Sequence, residues 1–312
     1  MNQTFKLGHY ISELPEPLSE DITACQFVVE TMTRESLNFL SAMDWLDLKD
    51  IFAHLHNFYF YRYTLPAFEI AFGHLPTREQ TTELKAQLQL CMVGRCVNDI
   101  IDKDSGSFSP AQSLVLYAYH WNQFVSLLSS GGDDLSSFYE QNSFKLLQGI
   151  VEACHVEKLS EVEKKQQIVD IDTYPNRAAY FFLLPEYFIE KVWDDESIEQ
   201  RKSLLRKIIS TFFLYFDVEN SINDLFTDIA TVPTQKLKRI LEDNEGKMRL
   251  FLSEFLKGVH SLIAEIETRL LNLMDTAETL NLSYTYGVLA QVLNVLRAEQ
   301  AYSALTLQFF LS

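Results

Sequence analysis

In "GRCVNDIIDKDSG", residues 94–106, Asn98, Asp99 and Asp102 stand at i, i+1 and i+4 directly after an apolar run. On a helix this spacing puts Asn98 and Asp102 on one face with Asp99 beside them. Carboxylates in a helix's last turn meet the negative end of its dipole, at a cost of roughly a few tenths of a kcal/mol or more. A hard divalent cation offsets that cost: Mg²⁺ takes oxygen from one or two carboxylates and fills its remaining positions with water and phosphate oxygens. A solvated acidic helix end accounts for the same residues without a metal.

A second constellation lies in "FFLYFDVENSINDLFTDIA", 212–230. Val218, Ile222, Leu225, Phe226 and Ile229 make an apolar helical face. Opposite it Asn220, Asp224 and Asp228 form an i, i+4, i+8 ladder, with Asn223 and Thr227 on a neighbouring ladder. Two acid-amide helices facing each other across a cavity would hold metal ions between them and leave a substrate diphosphate to complete the coordination.

"NDIID" (98–102) resembles the aspartate-rich DDxxD motif of class I isoprenoid synthases, with Asn98 in place of the first Asp. The 212–230 segment resembles the family's second metal helix in two registers. "NDLFTDIAT" is similar to the terpene synthase motif (N/D)DxxSxxxE and implies Asn223 and Thr227 as ligands, with Thr231 where the family has Glu. "FDVENSIND" is similar to the prenyltransferase FQxxDDxxD and implies Asn220 and Asp224, with Asp228 one turn on. Arg177, in "YPNRAAYFF" and 46 positions before Asn223, matches the spacing of the terpene synthase diphosphate sensor. Its planar fork suits paired hydrogen bonds to phosphate oxygens. Arg297, in "RAEQAYSAL", loosely resembles a second diphosphate-gripping Arg.

The resemblance implies an all-α bundle with a central cavity. It also implies Mg²⁺, or Mn²⁺ in its place, held by Asn98, Asp99 and Asp102 and by the second helix. The implied activity is that of a terpene synthase, a lyase that ionises an allylic prenyl diphosphate and cyclises the carbocation; a homodimer is the implied assembly. The Arg-Arg-Gly of chain-elongating prenyltransferases is missing after the first motif. That leaves cyclisation, or transfer of the prenyl group to a non-isoprenoid nucleophile. Asn at 98 and Thr at 231 also suit a reading from another class, a non-catalytic helical binding protein.

Such residues need helices to position them, and apolar residues recur at three and four spacing over 34–46, 48–63, 79–102, 110–129, 135–155 and 159–170. The spacing continues over 177–192, 195–230, 233–243, 246–277 and 283–309, and no stretch keeps a strand's period of two for long. Residues 1–20, with "ELPEP", read as an irregular arm, and 21–312 as a single helical domain, since no Ser/Gly/Pro-rich linker divides it. The 23 Phe, 14 Tyr and 3 Trp cluster at 56–72, 180–188 and 212–216. They serve either as ordinary packing or as the wall of a pocket that stabilises a cation through ring quadrupoles. His54 and His56 read as packing groups, and Arg95, one turn before Asp99, as its ion-pair partner.

The net charge of −17 opposes binding to nucleic acid, whose partners present basic faces. Cys25, Cys91, Cys96 and Cys154 show neither CxxC nor zinc-like spacing, so buried free thiols in a reducing compartment are expected. No run of about 18 apolar residues occurs, and a cytoplasmic protein with no membrane partner is the expectation.

Overall fold

The computed structural model describes residues 20–101, 108–130, 132–157, 176–194, 196–231 and 261–311, though not the side chains of 20–24, 132–133, 156–157, 216–231, 299 and 301–311. Among the described residues the regular structure is entirely helical, as the periodicity predicts. The expected helices over 159–170 and 233–243, and the arm to residue 19, lie outside them. No helix among the described residues is long and apolar enough to cross a membrane. The chain divides into two compact units, Met1–Ile209 with Ala277–Val288, and Ser210–Thr276 with Leu289–Ser312.

In the first unit, α1 (Glu20–Ala42) buries Cys25, Val28, Val29, Met32, Ser36 and Leu40. It begins well before residue 34. Val28, Val29, Thr31 and Thr33 are β-branched and weak helix formers, and the buried face outweighs that weakness. Next, α2 (Lys49–Tyr59) passes through a wide π turn, Phe60–Thr64, into α3 (Leu65–Phe72). The expected end at residue 63 is therefore a widening of the helix. Pro66 lacks an N–H and its ring would strike the carbonyl four residues back. The π turn, in which the Leu65 N–H reaches the Phe60 carbonyl, sits directly before it and relaxes that fit.

The carbonyls at the end of α3 are satisfied one by one. Gly73, at φ +78°, donates to the Glu69 carbonyl at 2.8 Å, a left-handed position that glycine takes without a Cβ penalty. Arg201 Nη1 donates to the Ile70 carbonyl at 2.7 Å, Trp193 Nε1 donates to that of Ala71 at 2.7 Å, and the Arg201 guanidinium stacks on the Trp193 ring.

Helix α4 (Thr81–Ile101) packs against α1, α2, α5 (Pro110–Ser130), α6 (Gly132–Glu157) and α7 (Ala179–Val192), which explains how Leu84, Leu88, Cys91, Val93 and Cys96 are all buried. The long α8 (Ser197–Thr231) starts in this unit, where Arg206 forms an ion pair with Glu186 of α7. The buried Glu69 carboxylate accepts the backbone N–H of Tyr284 at 3.0 Å and of Thr285 at 2.6 Å. It thereby caps the first turn of the last helix from 215 residues away, with the helix dipole favouring its charge.

The second unit holds the rest of α8, the helix α9 over 261–279 up to Thr276, and α10 (Ser283–Leu311) from Leu289 on. Ile263, Ile266, Leu270 and Leu273 line one buried face of α9, and Val292, Leu293 and Leu296 one of α10.

Candidate functional site

In the first unit an Arg–Asp ion pair stands near the carboxyl end of α4. Asp99 is 2 % exposed and both its oxygens are engaged by Arg95: Nη2 to Oδ1 at 2.7 Å and Nε to Oδ2 at 3.1 Å. The i, i+4 spacing puts the two on one helical face, and the guanidinium fork meets the carboxylate with two parallel bonds. The Arg95 guanidinium also lies beside the Tyr59 hydroxyl of α2. Burial pushes the Tyr59 phenol up to about 12, with Arg95 opposing the rise, so the ring stays protonated. Burial also raises the Cys91 thiol, to about 12, and that of Cys96, where Asp99 adds to it. Cys25, Cys91 and Cys96 are buried and Cys154 is half-buried, and none of the four is in a disulfide.

Tyr59 links this cluster to α7. Its ring lies 6.0 Å from that of Phe181, and the Tyr63 ring lies 5.2 Å from the same Phe181. Further along, Phe68 and Phe72 meet Phe188, so α3 and α7 run in the same direction. Tyr59 meets Arg95 while Thr64 meets Cys91, so α4 runs opposite to both. The end of α4 that carries Asn98 and Asp99 therefore lies at the same end of the unit as the start of α7, where Arg177 stands. Gly94 permits the close crossing, since a Cβ there would lie 3.1 Å from atoms of Tyr180 and Phe181.

Arg177 lies in the turn 176–178 that leads into α7 and is half-buried. Glu152 of α6 holds that turn. Its Oε2 accepts the backbone N–H of Asn176 at 2.8 Å and of Arg177 at 3.1 Å, and its Oε1 accepts the Asn176 side-chain N–H at 2.7 Å. A Cβ on Gly149 would meet the Asn176 carbonyl oxygen at 2.5 Å, so glycine is what lets α6 approach the turn.

The remaining predicted site residues are less convergent. Asn98 is exposed, whereas Asp99 beside it is buried, so the two do not share an environment. Asp102 lies outside the described residues. Asn220, Asn223, Asp224, Thr227 and Asp228 all fall in the helical backbone of α8, so their spacings of four hold as helical spacings, and their side chains lie outside the description. Arg297, in the second unit, is half exposed and gives both Nε and Nη2 to Glu267 Oε1, at 2.8 and 2.6 Å. No group of three His, Cys, Asp or Glu side chains among the described residues could hold a metal ion. Asp99 is turned to Arg95, and the other carboxylates that the resemblance implies as Mg²⁺ ligands, Asp102, Asp224 and Asp228, lie outside the described side chains.

One buried polar cluster was not foreseen. His56 and His120 are fully buried, their ring centroids 6.0 Å apart and nearly perpendicular. His56 Nδ1 shares a hydrogen bond with Thr33 Oγ1 at 3.1 Å, and His120 Nδ1 shares one with Gln89 Oε1 at 2.7 Å. His56 is the packing group the sequence suggests. His120 and Gln89 carry no local signal, because their partnership depends on how α4 and α5 pair.

Set against known protein families, curated proteins and solved structures, the chain matches none of them.

Proposed function

We propose that the chain acts on an allylic prenyl diphosphate as a class I terpene synthase, with cyclisation of the carbocation and release of diphosphate. The observation that supports this reading is the common end shared by two features that the resemblance singles out: the "NDIID" terminus of α4 and the Arg177 turn at the start of α7, linked through the Tyr59–Phe181 contact. Arg177 would donate paired hydrogen bonds to the departing diphosphate, bonds that strengthen as negative charge builds on it. Tyr59, Tyr63 and Phe181 would turn ring faces toward the allylic cation and keep water from it. The Tyr59 phenol, held protonated at neutral pH, would not act as a base.

A second reading, a helical binding protein without catalysis, draws support from the Arg95 grip on Asp99, which occupies the one carboxylate of the first motif that is described. One experiment separates the two. The purified chain is incubated with geranyl, farnesyl and geranylgeranyl diphosphates in turn, with and without Mg²⁺, and diphosphate release and the organic extract are followed. A cyclic hydrocarbon or alcohol is the expected product. Intact substrate in every incubation would favour the second reading, and a prenylated acceptor would favour transfer over cyclisation.

A further inference from the structure

We infer that Asp99 is the fixed counter-ion that positions Arg95 against Tyr59, and that it is not a ligand of the divalent cation its place in "NDIID" implies. Both Asp99 oxygens accept from Arg95, at 2.7 and 3.1 Å, and the carboxylate is 2 % exposed. A cation at either oxygen would share it with a charge-assisted hydrogen bond, and it would have to reach a carboxylate that is shut off from water. It would also leave the Arg95 guanidinium, whose side chain is 26 % exposed, as a like charge beside it.

The neighbouring residue adds a second constraint. Asn98 is exposed, and successive helical residues point about 100° apart. An ion approaching Asn98 from water therefore meets a different side of α4 from the one on which Asp99 is shut in. Third, the Tyr59 hydroxyl of α2 lies beside the Arg95 guanidinium, at a place where α2 packs on α4, and the Asp99 carboxylate fixes the guanidinium's orientation there. Two side chains that satisfy each other in this way brace a helix contact. Released from Arg95, the buried Asp99 carboxylate would lose the charge that offsets its burial.

The inference stands apart from the reading of the substrate, and the test keeps the two separate. Full-length wild type, Asp99→Asn and the double variant Asp99→Asn/Arg95→Gln are compared for urea unfolding and for Mn²⁺ binding by calorimetry. Asp99→Asn strands the Arg95 charge and is expected to raise the unfolding constant by about a hundredfold or more. The double variant, which strands nothing charged, should recover most of that loss. Mn²⁺ affinity should stay within about twofold of wild type in both, since counter-ion and metal ligand are separate roles.

A tenfold or greater loss of Mn²⁺ affinity in either folded variant overturns the inference, and so does wild-type stability in Asp99→Asn. If the single variant does not fold, the double variant supplies the Mn²⁺ comparison. A wild type that binds no Mn²⁺ agrees with the inference, and it withdraws the metal from the terpene synthase reading without touching the role of Asp99.

Discussion

Gln87 Nε2 lies 3.2 Å from the carbonyl oxygen of Phe181, the acceptor that Pro185 leaves without its helical donor. In an uninterrupted helix the N–H of residue 185 would bond that carbonyl, and proline has none. Gln87, fully buried on α4, supplies the missing donor and also reaches the Tyr180 carbonyl at 3.2 Å. A side chain on one helix thus repairs a backbone defect on another, at the level where Tyr63 and Phe181 pack.

Gln87→Leu should therefore cost about 1–3 kcal/mol of stability, the penalty for leaving a buried carbonyl unsatisfied. In a Pro185→Ala background the restored N–H serves Phe181, and the same change should cost about 1 kcal/mol less. Urea unfolding of the four proteins closes the cycle. Equal costs in the two backgrounds would mean that Gln87 acts by packing alone.

The imidazole pair makes stability depend on acid. Burial depresses His56 from 6.5 to about 4, and burial together with His56 holds His120 well below the ordinary range. Around them stand Thr33 of α1, Phe52 of α2, Gln89 of α4, Phe108 before α5, and Tyr119 of α5, whose phenol is raised mainly by its own burial. In the unfolded chain both imidazoles take up protons as the pH falls through about 6.5; in the folded chain His56 resists until about 4, and His120 resists well below the ordinary range. Stability is thus fully present above about 6.5 and lost as pH falls toward 4, by on the order of 3 kcal/mol for His56. His56→Gln should flatten the fall in midpoint between pH 7 and 4.5, and an unchanged slope would exclude His56 as its source.

These cases mark what local sequence carries and what it does not. The bodies of α4, α5, α6, α7 and α8 follow from three and four spacing, because each is long and buries one face or more. The Arg95–Asp99 pair is legible too, since i, i+4 neighbours meet on any helix. Three features were beyond reach for a common reason. The passage of the chain through Pro66, the cap that Glu69 places on Tyr284 and Thr285, and the donation of Gln87 to α7 all depend on which element becomes whose neighbour. Spacing alone likewise grouped Asn98 with Asp99. The helices packed on one side of α4 separate them, so that one faces water and the other a guanidinium.

The Arg177 turn allows recognition and support to be tested apart. Support comes from Glu152, which takes two backbone N–H groups and the Asn176 side chain, at 2.7 to 3.1 Å. Because Arg177 enters that network by its backbone, replacing its side chain leaves these three bonds in place. Under the proposed function Arg177→Lys keeps a cation and loses the planar fork, and a bond to phosphate that strengthens during ionisation is lost from the chemical step. The turnover of a prenyl diphosphate should drop about tenfold or more in Arg177→Lys, and further in Arg177→Ala, with Tm nearly unchanged. Glu152→Gln should do the reverse in its first effect: it removes the charge that orders the turn, lowers Tm, and reduces turnover only as far as the turn loosens. If Arg177→Ala instead lowers Tm as Glu152→Gln does and the surviving protein keeps its turnover, Arg177 is part of the brace, and the spacing of 46 positions to Asn223 has no bearing on diphosphate.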